Sequence, residues 1–166
     1  MNWMSKGIVF ASTTLLVVLG FLAWLFWPSD EEQIEALFDE LSEVASKTED
    51  ASTLSDAMVA KDFKQLFAPE VKISIRSKAR IAGEHTNQGL AQLYARLRVA
   101  SSRMELRCEQ LQILSTEKEK ALVAVKFFAS WRGKGGNIVR EDAHSEVKLE
   151  KVDGDWTIRE IHYLKN

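Results

Sequence analysis

The chain has 166 residues, enough for one domain of ordinary size plus an appendage. Its composition is globular, 46% hydrophobic and 28% charged, and a formal net charge of −2 excludes a general nucleic-acid-binding surface, which needs excess positive charge. The single cysteine, Cys108, excludes an intrachain disulfide and a cysteine-rich metal motif, and its apolar neighbours point to a buried structural thiol.

Residues 8–27 read IVFASTTLLVVLGFLAWLFW, twenty residues without a charge. A helix of that length spans roughly 30 Å, the thickness of a hydrocarbon core. Twelve of the twenty are Leu, Ile, Val or Phe, which together favour insertion by roughly 5 kcal/mol. Trp3, Trp24 and Trp27 stand near the two ends, where an aromatic belt would place them. A cleaved secretory signal is the competing reading, but the apolar run is long for one, and Phe21 occupies the position where a cleavage site ending at Ala23 needs a small residue. The expectation is therefore a transmembrane anchor over residues 1–29, with the lipid bilayer as partner of residues 8–27. Lys6 before the span and Asp30, Glu31 and Glu32 after it place the N-terminus in the cytoplasm and the domain outside, in the periplasm if the source is bacterial.

Residues 30–166 form the expected domain. Ser29 and Glu32 make a capping box for a first helix carrying Ile34, Leu37, Phe38, Leu41 and Val44 or Ala45 at helical spacing. A second helix is expected over about residues 53–67, with Leu54, Met58, Leu66 and Phe67 inward and Pro69 as its stop. Val71, Ile73 and Ile75 then alternate with polar residues as in a half-buried strand, and residues 79–81 suggest a short return strand. The polar stretch 83–88 reads as a loop, with Asn87 capping a third helix that carries Leu90, Leu93, Tyr94 and Leu97. Strands follow over about 103–114, 120–131, 138–151 and 156–164, separated by explicit turns at Gly133–Gly136 and Asp153-Gly154.

The segments LFAPEVKISI, GEHTNQGLAQLYARL and EVKLEKVDGDWTIREIHY resemble the nuclear transport factor two-like, or SnoaL-like, superfamily across the whole of residues 31–166. The resemblance implies an α+β fold in which helices pack on a curved antiparallel sheet, a cystatin-like, cone-shaped α+β barrel enclosing a pocket. It also implies two kinds of activity. Some members are isomerases, cyclases and dehydratases that hold an acid or base in an apolar cavity, and others have no known catalysis.

Pairing Val123 with Val147 keeps one sheet face apolar and sets Val125 against Ser145, Phe127 against Ala143, Ala129 against Glu141 and Trp131 against Val139. Glu141, Ser145, Phe127 and Trp131 then line the candidate pocket. The last strand has two registers. A plain two-residue turn brings His162 inward opposite Ser145, whereas a bulge near Arg159-Glu160 brings Tyr163 inward and turns His162 out. His144 lies on the outer face beside Asp142 and Glu146, where a metal or acid–base reading competes with a solvated charged stripe. No metal and no cofactor is expected.

Three functions stay open: a non-catalytic, membrane-tethered binding or protein-interaction module; a small-ligand enzyme of the cyclase, isomerase or dehydratase type; and an assembly component of a membrane complex such as a secretion system. A small apolar ligand would suit the pocket. Phe128 on the outer sheet face would suit a homodimer, and the excess of acids over residues 30–62 against the excess of Lys and Arg over 71–107 would suit a docked protein partner.

Overall fold

The computed structural model describes residues 28–49, 53–75 and 82–164. The proposed span, residues 8–27, and the return strand expected at 79–81 lie outside these residues. Among the described residues no helix is long and apolar enough to cross a membrane. The elements in chain order are α1 (Asp30–Ala45), α2 (Thr53–Gln65), β1 (Phe67–Ile75), β2 (Gly83–Thr86), α3 (Asn87–Ala100), β3 (Ser101–Thr116), β4 (Lys120–Gly133), β5 (Ile138–Val152) and β6 (Asp155–Leu164). The strands form one open sheet in the order β2-β1-β6-β5-β4-β3. All neighbours are antiparallel except β1 and β6, which run parallel. The architecture is thus α+β with helices on a curved, open, mostly antiparallel sheet; the barrel expected from the resemblance does not close, because β2 and β3 are edges.

α1 starts where its capping box dictates. Glu32 N donates to Ser29 Oγ and Ser29 N donates to the Glu32 carboxylate. Its apolar stripe, Ile34, Leu37, Phe38, Leu41 and Ala45, is buried against the inner sheet face. The long edge strand β3 would leave a row of backbone groups open. Part of α1 closes that edge. Lys47 pairs with Met104 as a bridge, Ser46 Oγ accepts from Leu106 N at 3.1 Å, and Ser42 Oγ accepts from Cys108 N at 3.2 Å. Each hydroxyl in turn donates to the carbonyl four residues back in the helix. Beyond Cys108 the strand bulges at Gln110, whose φ is +53°.

α2 ends at Gln65, and β1 begins at Phe67, two residues before Pro69 rather than after it. Pro69 has no N–H for the ladder, and the β1–β6 pairing skips from Phe67↔Ile158 to Lys72↔Glu160 around it. Arg159 is the extra residue of β6 here, and its Nη1 donates to Glu70 O at 2.6 Å. Met58, expected inward, is 65% exposed, while Asp56 is buried in its place. The segment 83–86, expected as loop, is the edge strand β2, which pairs with β1. Thr86, not Asn87, caps α3 by accepting from Gly89 N. Leu93 and Leu97 sit at the exposed margin of α3, whose buried arc is Leu90, Ala91, Tyr94 and Arg98.

Replacing Ser42 or Ser46 with Ala strands one N–H of β3 under the helix. Each substitution should lower the urea-unfolding free energy by about 1–2 kcal/mol and raise amide exchange at Cys108 or Leu106 respectively; unchanged exchange would mean that the hydroxyls do not seal this edge.

Candidate functional site

The inner face of β4, β5 and β6 pairs as the apolar alternation dictates: Val123↔Val147, Val125↔Ser145, Phe127↔Ala143, Ala129↔Glu141 and Trp131↔Val139. The extra residue at Arg159 then decides the last strand. It shifts the parity of all that follows, so Ser145 faces Tyr163 and Glu146 faces His162. Tyr163 therefore joins the inner face. His162 leaves the candidate pocket for the outer face, because a one-residue insertion turns each later side chain over.

The expected pocket residues have different surroundings. Phe38 of α1 is 1% exposed and fills the space over β4, with its ring 6.3 Å from that of Phe127. Val123, Val125, Val147, Leu149 and Ile158 complete that buried layer. Glu141 is exposed, and Trp131 is half-buried beside a small cleft of about 170 Å³ that it shares with Arg103 and Arg140. Ser145 is 2% exposed, and its Oγ is the one buried side-chain polar atom among the described residues that lacks a hydrogen-bond partner. His144 stands opposite Lys126 on the exposed face, and Lys126 reaches Asp142 at 3.4 Å, so the stripe reading holds there. Among the described residues no three His, Cys, Asp or Glu side chains converge to hold a metal.

The larger clefts lie on the outer surface and rim. One of about 370 Å³ is lined by Lys72, His85, Arg159 and Glu160 together with Glu70 and Glu84. Glu160 is held below the usual carboxylate range, chiefly by its hydrogen bond from Lys148 at 2.7 Å, with the Lys72 and His162 charges adding to it. Cys108 is half-buried, and burial pushes its thiol up to about 11 despite a hydrogen bond with Ser42, so it stays an unreactive thiol at neutral pH.

The densest polar cluster lies under the helices, and the sequence pattern did not reveal it. Asp56 of α2 accepts from Lys47 Nζ and Arg98 Nε, each at 2.9 Å. Arg98 also donates to Val44 O at 3.2 Å, to Ser46 O at 2.7 Å and to the Tyr94 hydroxyl, which itself donates to Val44 O. Lys47 Nζ adds a bond to Arg98 O, and the Tyr94 ring stacks on Phe63 with centroids 4.1 Å apart. Burial alone would push the Asp56 carboxyl up. The two hydrogen bonds and two positive charges outweigh it and hold Asp56 below its ordinary value of 3.8. Burial raises Tyr94, against the pull of Arg98. Its carboxylate, hydroxyl and cations bond to one another and to backbone carbonyls, so its chemistry is that of a clasp. The signal that could have found it is the spacing of Tyr94 and Arg98, four apart on the buried arc of α3, opposite the acid in the first turn of α2.

No protein-family model matches this sequence, and no curated protein matches it. Its fold is nonetheless shared by many solved structures. A candidate scytalone dehydratase from Novosphingobium aromaticivorans superposes with a TM-score of 0.66 at 14% identity, over 82% of this chain and 84% of that one. A candidate dehydratase of the NTF2-like family from Streptomyces avermitilis gives 0.60 at 12% identity, over 81% and 94%. A candidate calcium/calmodulin dependent protein kinase II association domain from Xanthomonas campestris gives 0.59 at 15%, over 82% and 87%. At such identities the likeness shows the nuclear transport factor two-like fold and does not carry an activity.

Asp56→Asn leaves Lys47 and Arg98 buried without their counter-charge and should cost about 3–5 kcal/mol in urea unfolding. Because the folded Asp56 value is lowered, its contribution is complete above about pH 4 and is lost as pH falls through the lowered value. The wild-type urea midpoint should therefore drop more steeply in acid than that of the Asn variant; parallel acid limbs would show that Asp56 carries no such linkage.

Proposed function

We propose that this chain is a membrane-tethered, non-catalytic protein-interaction module, anchored through residues 8–27, with the domain on the extracytoplasmic side. The observation that supports the non-catalytic reading is the placement of the acids and imidazoles. Phe38 is buried beside Phe127 on the inner side of the sheet, His144 and His162 lie on the outer face and Glu141 is exposed, and the buried Asp56 is paired with two cations. An acid–base enzyme of this fold would need such a group free in an apolar cavity.

The interaction surface of this reading is the outer sheet face. Phe128 lies there under the Arg107 guanidinium at 4.3 Å. Charges of both signs surround it, paired as Lys126–Asp142, Arg107–Glu105 and Arg107–Glu109. An aromatic ringed by alternating charge is self-complementary about a two-fold axis, which supports a homodimer. The rival enzyme reading draws on Ser145, whose buried hydroxyl faces Tyr163 and lacks a partner; a small apolar ligand with one polar group would satisfy it.

The two readings separate in solution. The detergent-held chain should show a concentration-dependent dimer by sedimentation equilibrium, weakened about tenfold or more by Phe128→Asp, a change of about 1.4 kcal/mol, with the circular dichroism unchanged. Titration with phenols and aromatic ketones should give no saturable heat beyond that of detergent alone. A monomer with saturable binding that Ser145→Ala abolishes would favour the enzyme. For topology, a reporter fused at the C-terminus that is active only outside the cytoplasm should be active, and activity of a cytoplasm-only reporter would reverse the orientation.

A further inference from the structure

The start of α1 is held at one end of the sheet. Asp30 Oδ1 accepts from Lys151 Nζ and from Trp156 Nε1 at 3.2 Å, where β5 turns into β6. Lys151 N in turn donates to Glu119 O at 3.0 Å, so the β3–β4 turn lies at the same end. Gln33 Nε2 donates to Pro28 O at 2.8 Å, which fixes the chain as it enters the helix. The opposite end of the sheet holds the Gly133–Asn137 turn, where Lys134 N donates to Ala100 O. The C-terminus of α1 lies at that end, with Lys47 bridged to Met104 and Arg132 reaching Glu49 at 2.9 Å. A helix of sixteen residues separates the two ends by roughly 24 Å at 1.5 Å per residue.

From this geometry we infer that the β3–β4 and β5–β6 turns form the bilayer-facing surface of the domain and rest on zwitterionic lipid headgroups. The inference rests on the reading of residues 8–27 as the anchor. Only Pro28 and Ser29 separate Trp27 from Asp30, which keeps the pinned helix start within roughly 10 Å of the end of the span. The exposed first turn alternates Glu117, Lys118, Glu119 and Lys120, and the second presents Asp153 and Asp155. A polybasic surface would select anionic lipid; alternating charges instead match headgroups that carry a phosphate and an amine together. Beside the first turn opens a cleft of about 450 Å³, lined by Lys120, Lys148 and Arg159, by Glu117 and Glu150, and by Leu122 and Leu149. Charges of both signs beside apolar side chains suit a headgroup that carries both a phosphate and an amine.

The test uses the full chain with Cys108→Ala, reconstituted in phosphatidylcholine vesicles that contain a headgroup nitroxide lipid. A fluorophore on Lys118→Cys should be quenched several-fold more than one on Gly135→Cys, a position with open space around it at the far turn. Substituting phosphatidylglycerol for part of the phosphatidylcholine should not raise the quenching at position 118. Equal or reversed quenching in a chain that floats with the vesicles overturns the inference and leaves the anchor reading intact. A rise with phosphatidylglycerol overturns its zwitterionic part. A chain that is washed from the vesicles by carbonate overturns the anchor reading itself and the inference with it.

Discussion

The helical layer of this domain depends on one buried carboxylate. Asp56 accepts from Lys47 and Arg98, and through Arg98 it gathers the last carbonyls of α1 and the Tyr94 hydroxyl of α3, while the Lys47 backbone bridges Met104 at the start of β3. Four ionised or phenolic groups, Asp56, Lys47, Arg98 and Tyr94, leave water together here, at a desolvation cost of several kcal/mol per ion. The arrangement is stable because most donors find an acceptor, including the Val44 and Ser46 carbonyls at the end of α1 and the Arg98 carbonyl near the end of α3, which helix termini leave open. It ties α2 and α3 to the far end of α1, while the Asp30–Lys151–Trp156 contact ties the near end. Phe38 lies between these two pins, buried with its ring 6.3 Å from that of Phe127.

A second constraint lies where β1 meets β6. Pro69 cannot donate to the ladder, Arg159 is spare in β6, and the arginine side chain bonds the carbonyl of Glu70 across the gap. This local irregularity has a distant effect. It turns Tyr163 toward Ser145 and His162 toward the surface, removing an imidazole from the inner face. The shape of the fold is shared with candidate dehydratases and with an association domain.

Much of the fold was legible in the sequence wherever one physical signal acted alone. The capping box at Ser29 and Glu32, the apolar stripe of α1, the alternation that sets Val123 against Val147 and the Asp153-Gly154 turn each fold as read. The misreadings fall where two signals compete. Met58 looked like core, but Asp56, a carboxylate with two cationic partners, took the buried place instead of that flexible apolar side chain. Leu93 and Leu97 yielded the arc of α3 to Tyr94 and Arg98 for the same reason. Polar residues 83–86 became a strand because β1 offered them an edge, which no local propensity records.

By itself the sequence determined the apolar length of residues 8–27, the net charge, the order of the three helices and the four long strands that follow them, and the inward face of β4 and β5, because each follows from the period or total of side-chain polarity along the chain. Only the tertiary structure decided that Phe38 is buried beside Phe127, that His162 points out, that Asp56 is the centre of a clasp and that α1 begins at the β5–β6 turn. Those outcomes depend on contacts between residues distant in the chain: a bulge, a missing N–H and a charge whose partners sit on two other elements.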